Sequence, residues 1–132
     1  MTRDVAQAWL DRYVGAWQDD DPTAIGELFA EDATYRFHAY DPEPISGRAA
    51  IVAALLVAED KDAPGTWTAQ YAPYVVEGDR AVAVGESHYF RPDGSPRTVY
   101  YNLWTLRFDG EGRCTEFVEY HNELPARLGG QG

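Results

Sequence analysis

The chain has 132 residues, 45% of them hydrophobic and 14% aromatic, and 11 Lys and Arg against 22 Asp and Glu leave a formal net charge of -11. That length fits one domain, residues 1–132, with ample apolar material for a single core. A charge of this sign lacks the basic footprint that a phosphate backbone or an anionic membrane surface requires, so no nucleic acid and no membrane is expected as a partner.

The N-terminal run MTRDVAQAWLDRYV has Asp4 and Asp11 among its apolar residues, so it fits neither a signal sequence nor a transmembrane span. Cys114 is the single cysteine, offers no internal disulfide or thiolate cluster, and reads as an inert strand residue. A soluble, cytoplasmic protein is the expectation. Val5, Trp9, Tyr13 and Trp17 recur at i+4 steps with Ala6, Leu10 and Val14 beside them, which predicts a packed helix of about four turns. Asp21-Pro22 then supplies the N-cap and first residue of a short second helix carrying Ile25, Leu28 and Phe29. A strand is expected from about Ala33, ending at Asp41-Pro42-Glu43-Pro44, where two prolines remove ladder donors. Ser46-Gly47 opens a third helix over residues 48 to about 59, with Ile51, Leu55 and Ala58 on its buried line, and residues 60–66 read as a loop.

Everything after Thr66 reads as β. Breaks at 77–80 (EGDR), 91–95 (RPDGS) and 109–112 (DGEG) divide it into four long strands joined as successive hairpins, an antiparallel meander. Helices first and strands afterwards predict an α+β fold, with helices packed on one face of a curved antiparallel sheet around a pocket.

The run RYVGAWQDDDPTAIGELFAEDATYRF, the later S-G-R-A-A-I helix start and the R-F-D-G-E-G-R hairpin resemble, in order and spacing over nearly the whole chain, the superfamily of ketosteroid-isomerase, SnoaL-type and nuclear-transport-factor-2-like (NTF2-like) domains. The resemblance implies a cone-shaped α+β barrel with a deep central cavity, a small apolar or aromatic molecule as ligand, and a homodimer formed through the outer sheet face. It names no single activity, since the scaffold hosts isomerases, dehydratases, epoxide hydrolases, polyketide cyclases and binding modules. Tyr13, in RYVGAW, matches the oxyanion tyrosine of the steroid isomerases. Their carboxyl positions fall on Phe37 and Trp104, neither of which can exchange a proton as a carboxyl group would, so steroid-type isomerisation is disfavoured.

Two E-x-H pairs, Glu86 with His88 and Glu119 with His121, stand on predicted strands, where side chains at i and i+2 leave the same face. The family register turns Phe117, Glu119 and His121 on the last strand, and Val84, Glu86 and His88 on the second strand of the meander, toward the cavity. Alternation agrees for Val82 and Val84, but Val118 and Tyr120 are apolar too, so the inner face of the last strand is ambiguous from pattern alone. By parity Cys114 falls opposite Phe117, and His38 points outward beside Arg36 unless a bulge turns it in.

A glutamate walled in by Phe117, Trp104, Phe37 and Trp17 would be desolvated, which raises a carboxyl pKa and suits a proton donor, with His121 taking the complementary step. Tyr13 and Asn102 would hydrogen-bond a carbonyl, enolate or water. The expected catalytic set is Glu119, His121 and Tyr13; Trp17, Tyr35, Phe37, Val84, Glu86, His88, Asn102, Trp104 and Phe117 are expected to line the substrate site. E-x-H has no ligand signature comparable to H-E-x-x-H, so no metal and no cofactor is expected. Tyr101 and Leu103 alternate with Asn102 and are expected on the outer face, as a dimer contact. Two functions remain open: a cofactor-independent acid/base enzyme (cyclase, dehydratase, isomerase or epoxide hydrolase type) on an apolar oxygenated substrate, or a non-catalytic hydrophobic-ligand-binding or dimeric assembly module.

Overall fold

The computed structural model describes residues 1–56 and 67–125. Helix α1, Arg3–Gln18, starts at Thr2, whose hydroxyl accepts from the Val5 N–H at 3.2 Å. Its buried side is Ala6, Trp9, Leu10, Tyr13 and Ala16, while Val5 is 48% exposed. The helix is thus rotated slightly from the stripe read in the sequence. Asp21 caps α2, Pro22–Glu27, by accepting from the Thr23 and Ala24 N–H groups, with Pro22 in the first turn where it costs no hydrogen bond. Helix α3, Arg48–Leu56, buries Ile51 and Leu55. The rest of the expected third helix, Ala58 included, and the expected loop at 60–66 lie outside the described residues.

Strand β1, Phe29–Arg36, begins four residues before the expected start, because Phe29 is buried in the core and pairs with Cys114. A two-residue strand, β2, Ile45–Ser46, pairs antiparallel with β1 and has no sequence signal of its own. The four long strands are β3 Trp67–Glu77, β4 Arg80–Phe90, β5 Pro96–Phe108 and β6 Cys114–Tyr120. They form the expected meander, and β6 then lies parallel to β1, giving one six-stranded curved sheet in the order β2-β1-β6-β5-β4-β3. The sheet stays open, with β2 and β3 as its edges. Buried Pro73 fits in β3 because an edge strand can spare a donor, and the pairing with β4 shifts just after it.

Helix α1 packs against β3, and α3 against β1. Between helices and sheet lies an aromatic core: Trp9 stacks on Tyr13 at 5.2 Å and meets Phe29 and Phe108 edge-on, and its indole N–H donates to the Leu28 carbonyl at 3.0 Å. Cys114 corrects the parity reading. An irregularity in the β5–β6 pairing sets Phe108 opposite Cys114 but Arg107 opposite Glu116, which puts Cys114 in the same buried core as Phe117. Burial pushes its thiol up to about 12.

Candidate active site

Strands β4, β5 and β6 decide which side chains look under the helices. On β5, Asn102, Trp104, Leu106 and Phe108 are buried in alternation, and Tyr101 points away, 45% exposed. On β6, Phe117 and Glu119 are buried and Tyr120 is not. On β4 the inward set is Ala81, Ala83 and Ser87, which corrects the expectation for Val84, Glu86 and His88. Those three share the opposite face, where Glu86 and His88 pair at 3.1 Å near solvent. The misreading has a physical cause: Val82 and Val84 give the outer face its apolar look, while the buried face carries the small residues Ala81, Ala83 and Ser87 because the rings of Tyr71 and Trp104 on the neighbouring strands cover it. Gly85 shows how closely. A Cβ there would meet the Gln70 carbonyl oxygen at 2.1 Å and the Tyr71 ring at 2.5 Å.

The cavity beneath the helices has a volume of about 210 Å³. Tyr13, Trp17, Tyr35, Phe37, Asn102 and Trp104 line it, as do Glu119 and His121. Phe117 does not: it lies under the cavity wall, fully buried and stacked on Tyr35 at 4.3 Å. The sequence reading missed Ala54, Leu55, Trp67, Tyr89, Arg97 and Tyr100. Of these, Tyr100 could have been found, because it shares the parity of Asn102 and Trp104 on β5.

Glu119 is 8% exposed, and its two carboxylate oxygens accept from different donors, the Trp104 indole N–H at 3.1 Å and His121 Nε2 at 2.9 Å. His121 sits where the cavity meets solvent. The hydrogen bond that it donates to Glu119 raises its pKa above the ordinary 6.5, and partial burial opposes that only in part. His38 reaches the same place. It is not on a strand but in the turn after β1, where the Asp41 carboxylate accepts its backbone N–H at 3.1 Å and lies 3.7 Å from its ring. Its imidazole is 5.1 Å from that of His121, centre to centre. Since Glu86 and His88 leave the other face of the sheet, the two E-x-H pairs cannot share one ion; among the described residues no three metal-ligating side chains converge.

Tyr13 and Tyr35 are both buried, with their hydroxyls 2.9 Å apart. One donates to the other, which leaves the acceptor's proton available to a ligand. Burial, reinforced by the Glu119 charge, holds both phenols well above their ordinary pKa, so they act as donors rather than bases near neutrality. Asn102 is oriented from both ends: its Nδ2 donates to the Tyr71 hydroxyl at 3.0 Å and its Oδ1 accepts from the Asn122 N–H at 3.3 Å. Tyr71 in turn contacts Ser87 Oγ at 2.8 Å and stacks on Trp104 at 3.7 Å, and burial raises its phenol to about 12. A carboxylate, an imidazole and a pair of protonated phenols therefore border one aromatic cavity, an arrangement able to take a proton from a bound molecule and to donate hydrogen bonds to an oxygen on it.

A family model described as a SnoaL-like domain matches residues 10–117. Among solved structures, an LEH-like epoxide hydrolase of M. tuberculosis is similar at 14% identity and a TM-score of 0.65, covering 91% of this chain and 84% of that one. A candidate ketosteroid isomerase from Kribbella flavida DSM 17836 is similar at 17% identity and 0.66, covering 93% and 82%. A candidate polyketide cyclase from Sinorhizobium meliloti is similar at 21% identity and 0.61, covering 86% and 94%. At these identities the likeness establishes the fold alone. No curated protein matches the sequence.

Proposed function

The chain belongs to the SnoaL-like domain family, and we propose that it is a cofactor-independent enzyme that abstracts a proton next to a carbonyl group of a small, largely apolar substrate. The observation that carries this reading is Glu119, a carboxylate at the wall of an aromatic cavity, held by the Trp104 indole and by His121. Each carboxylate oxygen has a second lone pair for a substrate proton. Glu119 takes the proton; His121, beside it at the cavity mouth, receives it or returns it. The Tyr13–Tyr35 pair donates to the carbonyl oxygen as charge develops there, in a site that excludes most water. Asn102, fixed by Tyr71 and Asn122, has a second N–H for the same oxygen or a neighbouring one.

Size sharpens the substrate. An apolar cavity of about 150 Å³ holds benzene, so about 210 Å³ suits one ring with a short substituent rather than a steroid. Trp104, at the position where the steroid isomerases of this superfamily carry an aspartic acid, has its N–H directed to Glu119 instead.

The test is turnover of a panel of monocyclic ketones and hydroxyketones. Glu119→Gln and His121→Ala should each lower the rate about 10²- to 10⁴-fold, the usual contribution of a positioned acid or base. Ligands that raise the melting temperature while both variants match the wild type in rate, or while the wild type turns nothing over, would assign the cavity to binding alone.

A further inference from the structure

On the reading that Glu119 takes a proton from a bound substrate, we propose that His38 and Asp41 complete a proton relay running from Glu119 through His121 to solvent, in which His38 acts through His121 and does not touch the substrate. Four groups stand in sequence. The Glu119 carboxylate lies 2.9 Å from His121 Nε2, the rings of His121 and His38 are 5.1 Å apart between centres, and Asp41 Oδ1 is 3.7 Å from His38 Nδ1. Side-chain exposure rises outward along the first three, from 10% to 33% to 43%. His38 itself does not line the cavity. At that separation the two imidazoles reach each other through one bridging water, a gap across which a positioned base still takes a proton.

The turn after β1 holds His38 in this place. Asp41 Oδ2 accepts the His38 N–H at 3.1 Å, the Asp41 N–H donates to the His38 carbonyl at 3.0 Å, and Arg36 Nε donates to the Asp41 carbonyl at 3.2 Å. Tyr40 stacks on the His38 ring at 4.9 Å, and Tyr100 meets His121 edge-on at 5.7 Å. Burial makes such a path useful, because a ring that fills about 210 Å³ closes the direct way from Glu119 to water. The step starts from protonated Glu119, with His121 carrying its hydrogen on Nδ1. The Glu119 O–H bond breaks as His121 Nε2–H forms; His121 Nδ1–H breaks as a bond forms to His38 Nε2, the nitrogen not turned to Asp41. Glu119 ends as a carboxylate and His121 as a neutral ring whose Nε2–H donates to it. His38 ends as a cation opposite the Asp41 carboxylate and gives its proton to water.

The experiment follows deuterium uptake by cyclohexanone and acetophenone in D₂O by proton NMR, with the full chain as wild type, His38→Gln and Asp41→Asn, at fixed pD and rising imidazole concentration. The wild type should exchange at a rate independent of imidazole. His38→Gln should bind the ketones with unchanged affinity but exchange them about tenfold more slowly, short of the 10²- to 10⁴-fold expected for Glu119, which touches the substrate. Imidazole should restore that rate by taking the proton in place of His38. Asp41→Asn keeps an oxygen for the His38 N–H but loses the charge opposite its ring, and should show a smaller loss restored in the same way. A wild-type rate in either variant overturns the relay. So does a slow His38→Gln that imidazole does not restore, or one whose affinity falls along with its rate, since His38 would then only shape the site. No uptake from either ketone by the wild type removes proton abstraction and the relay with it, whereas uptake that needs Glu119 and is indifferent to His38 removes the relay alone.

Discussion

Glu119 gathers the site because the residues around it are committed elsewhere than to it alone: Trp104 also stacks on Tyr71, and His121 also faces His38. His121 follows from this contact. Its pKa is raised first by the hydrogen bond it donates to Glu119, so in Glu119→Gln partial burial remains as the opposing influence and the imidazole should titrate lower than in the wild type. An NMR titration of the three histidines would read it. The sign for stability follows from linkage: the folded state binds this proton more tightly, so the stabilisation is fully present below the unfolded pKa and disappears as pH rises through the higher folded value. Wild type should therefore gain on Glu119→Gln in melting temperature as pH is lowered through the region just above 6.5. The depth of Glu119 and Asn102 was readable from strand period together with the family register. The face of Val84, Glu86 and His88 was not, because Val82 and Val84, larger and more apolar than Ala81 and Ala83, mark the wrong face as the buried one although Arg80, Glu86 and His88 stand on it too. His38 was unreadable for a different reason: its place depends on the Asp41 turn, a local hydrogen-bonded structure with no periodicity.

At the level of elements, helix starts and hairpin breaks were legible because capping and turn residues act locally. Asp21 accepts two backbone N–H groups at the start of α2, so Asp21→Ala should cost about 1 kcal/mol in denaturant unfolding. What pattern could not supply were the register irregularities at Pro73, Tyr89 and Phe108, since a bulge is fixed by the partner strand as much as by its own sequence. These irregularities matter to the site: one buries Cys114 and another turns Arg97 to the cavity rim. The close approach at Gly85 gives a sharper test. Gly85→Ala must displace both the β3 backbone at Gln70 and the Tyr71 ring, with an overpacking cost of about 1–3 kcal/mol or more. Because Tyr71 orients Asn102, the variant should lose ligand affinity even at temperatures where it remains folded.

For the whole molecule, α+β architecture and the meander were legible from segment order, while the return of β6 alongside β1 was not read from the sequence, since no local signal encodes a parallel pairing so distant in sequence. No described helix is long and apolar enough to cross a membrane. We propose that residues 1–132 form one domain, which predicts a single cooperative thermal transition. The outer face of the sheet carries a row of Ala72, Val84, Leu103 and Tyr120 paired across four strands, with Tyr101 beside it. On that face we propose a homodimer; Leu103→Glu should convert it to monomer by light scattering, and a wild-type monomer would dismiss the dimer. Proton transfer by Glu119 remains the claim on which the functional reading turns, and deuterium uptake reads it without knowledge of the product. In D₂O, a monocyclic ketone that calorimetry shows to bind should gain deuterium beside its carbonyl under the wild type, and about 10²- to 10⁴-fold more slowly under a folded Glu119→Gln. Uptake at the same rate in both proteins, or none above the buffer rate for any bound ketone, would contradict it.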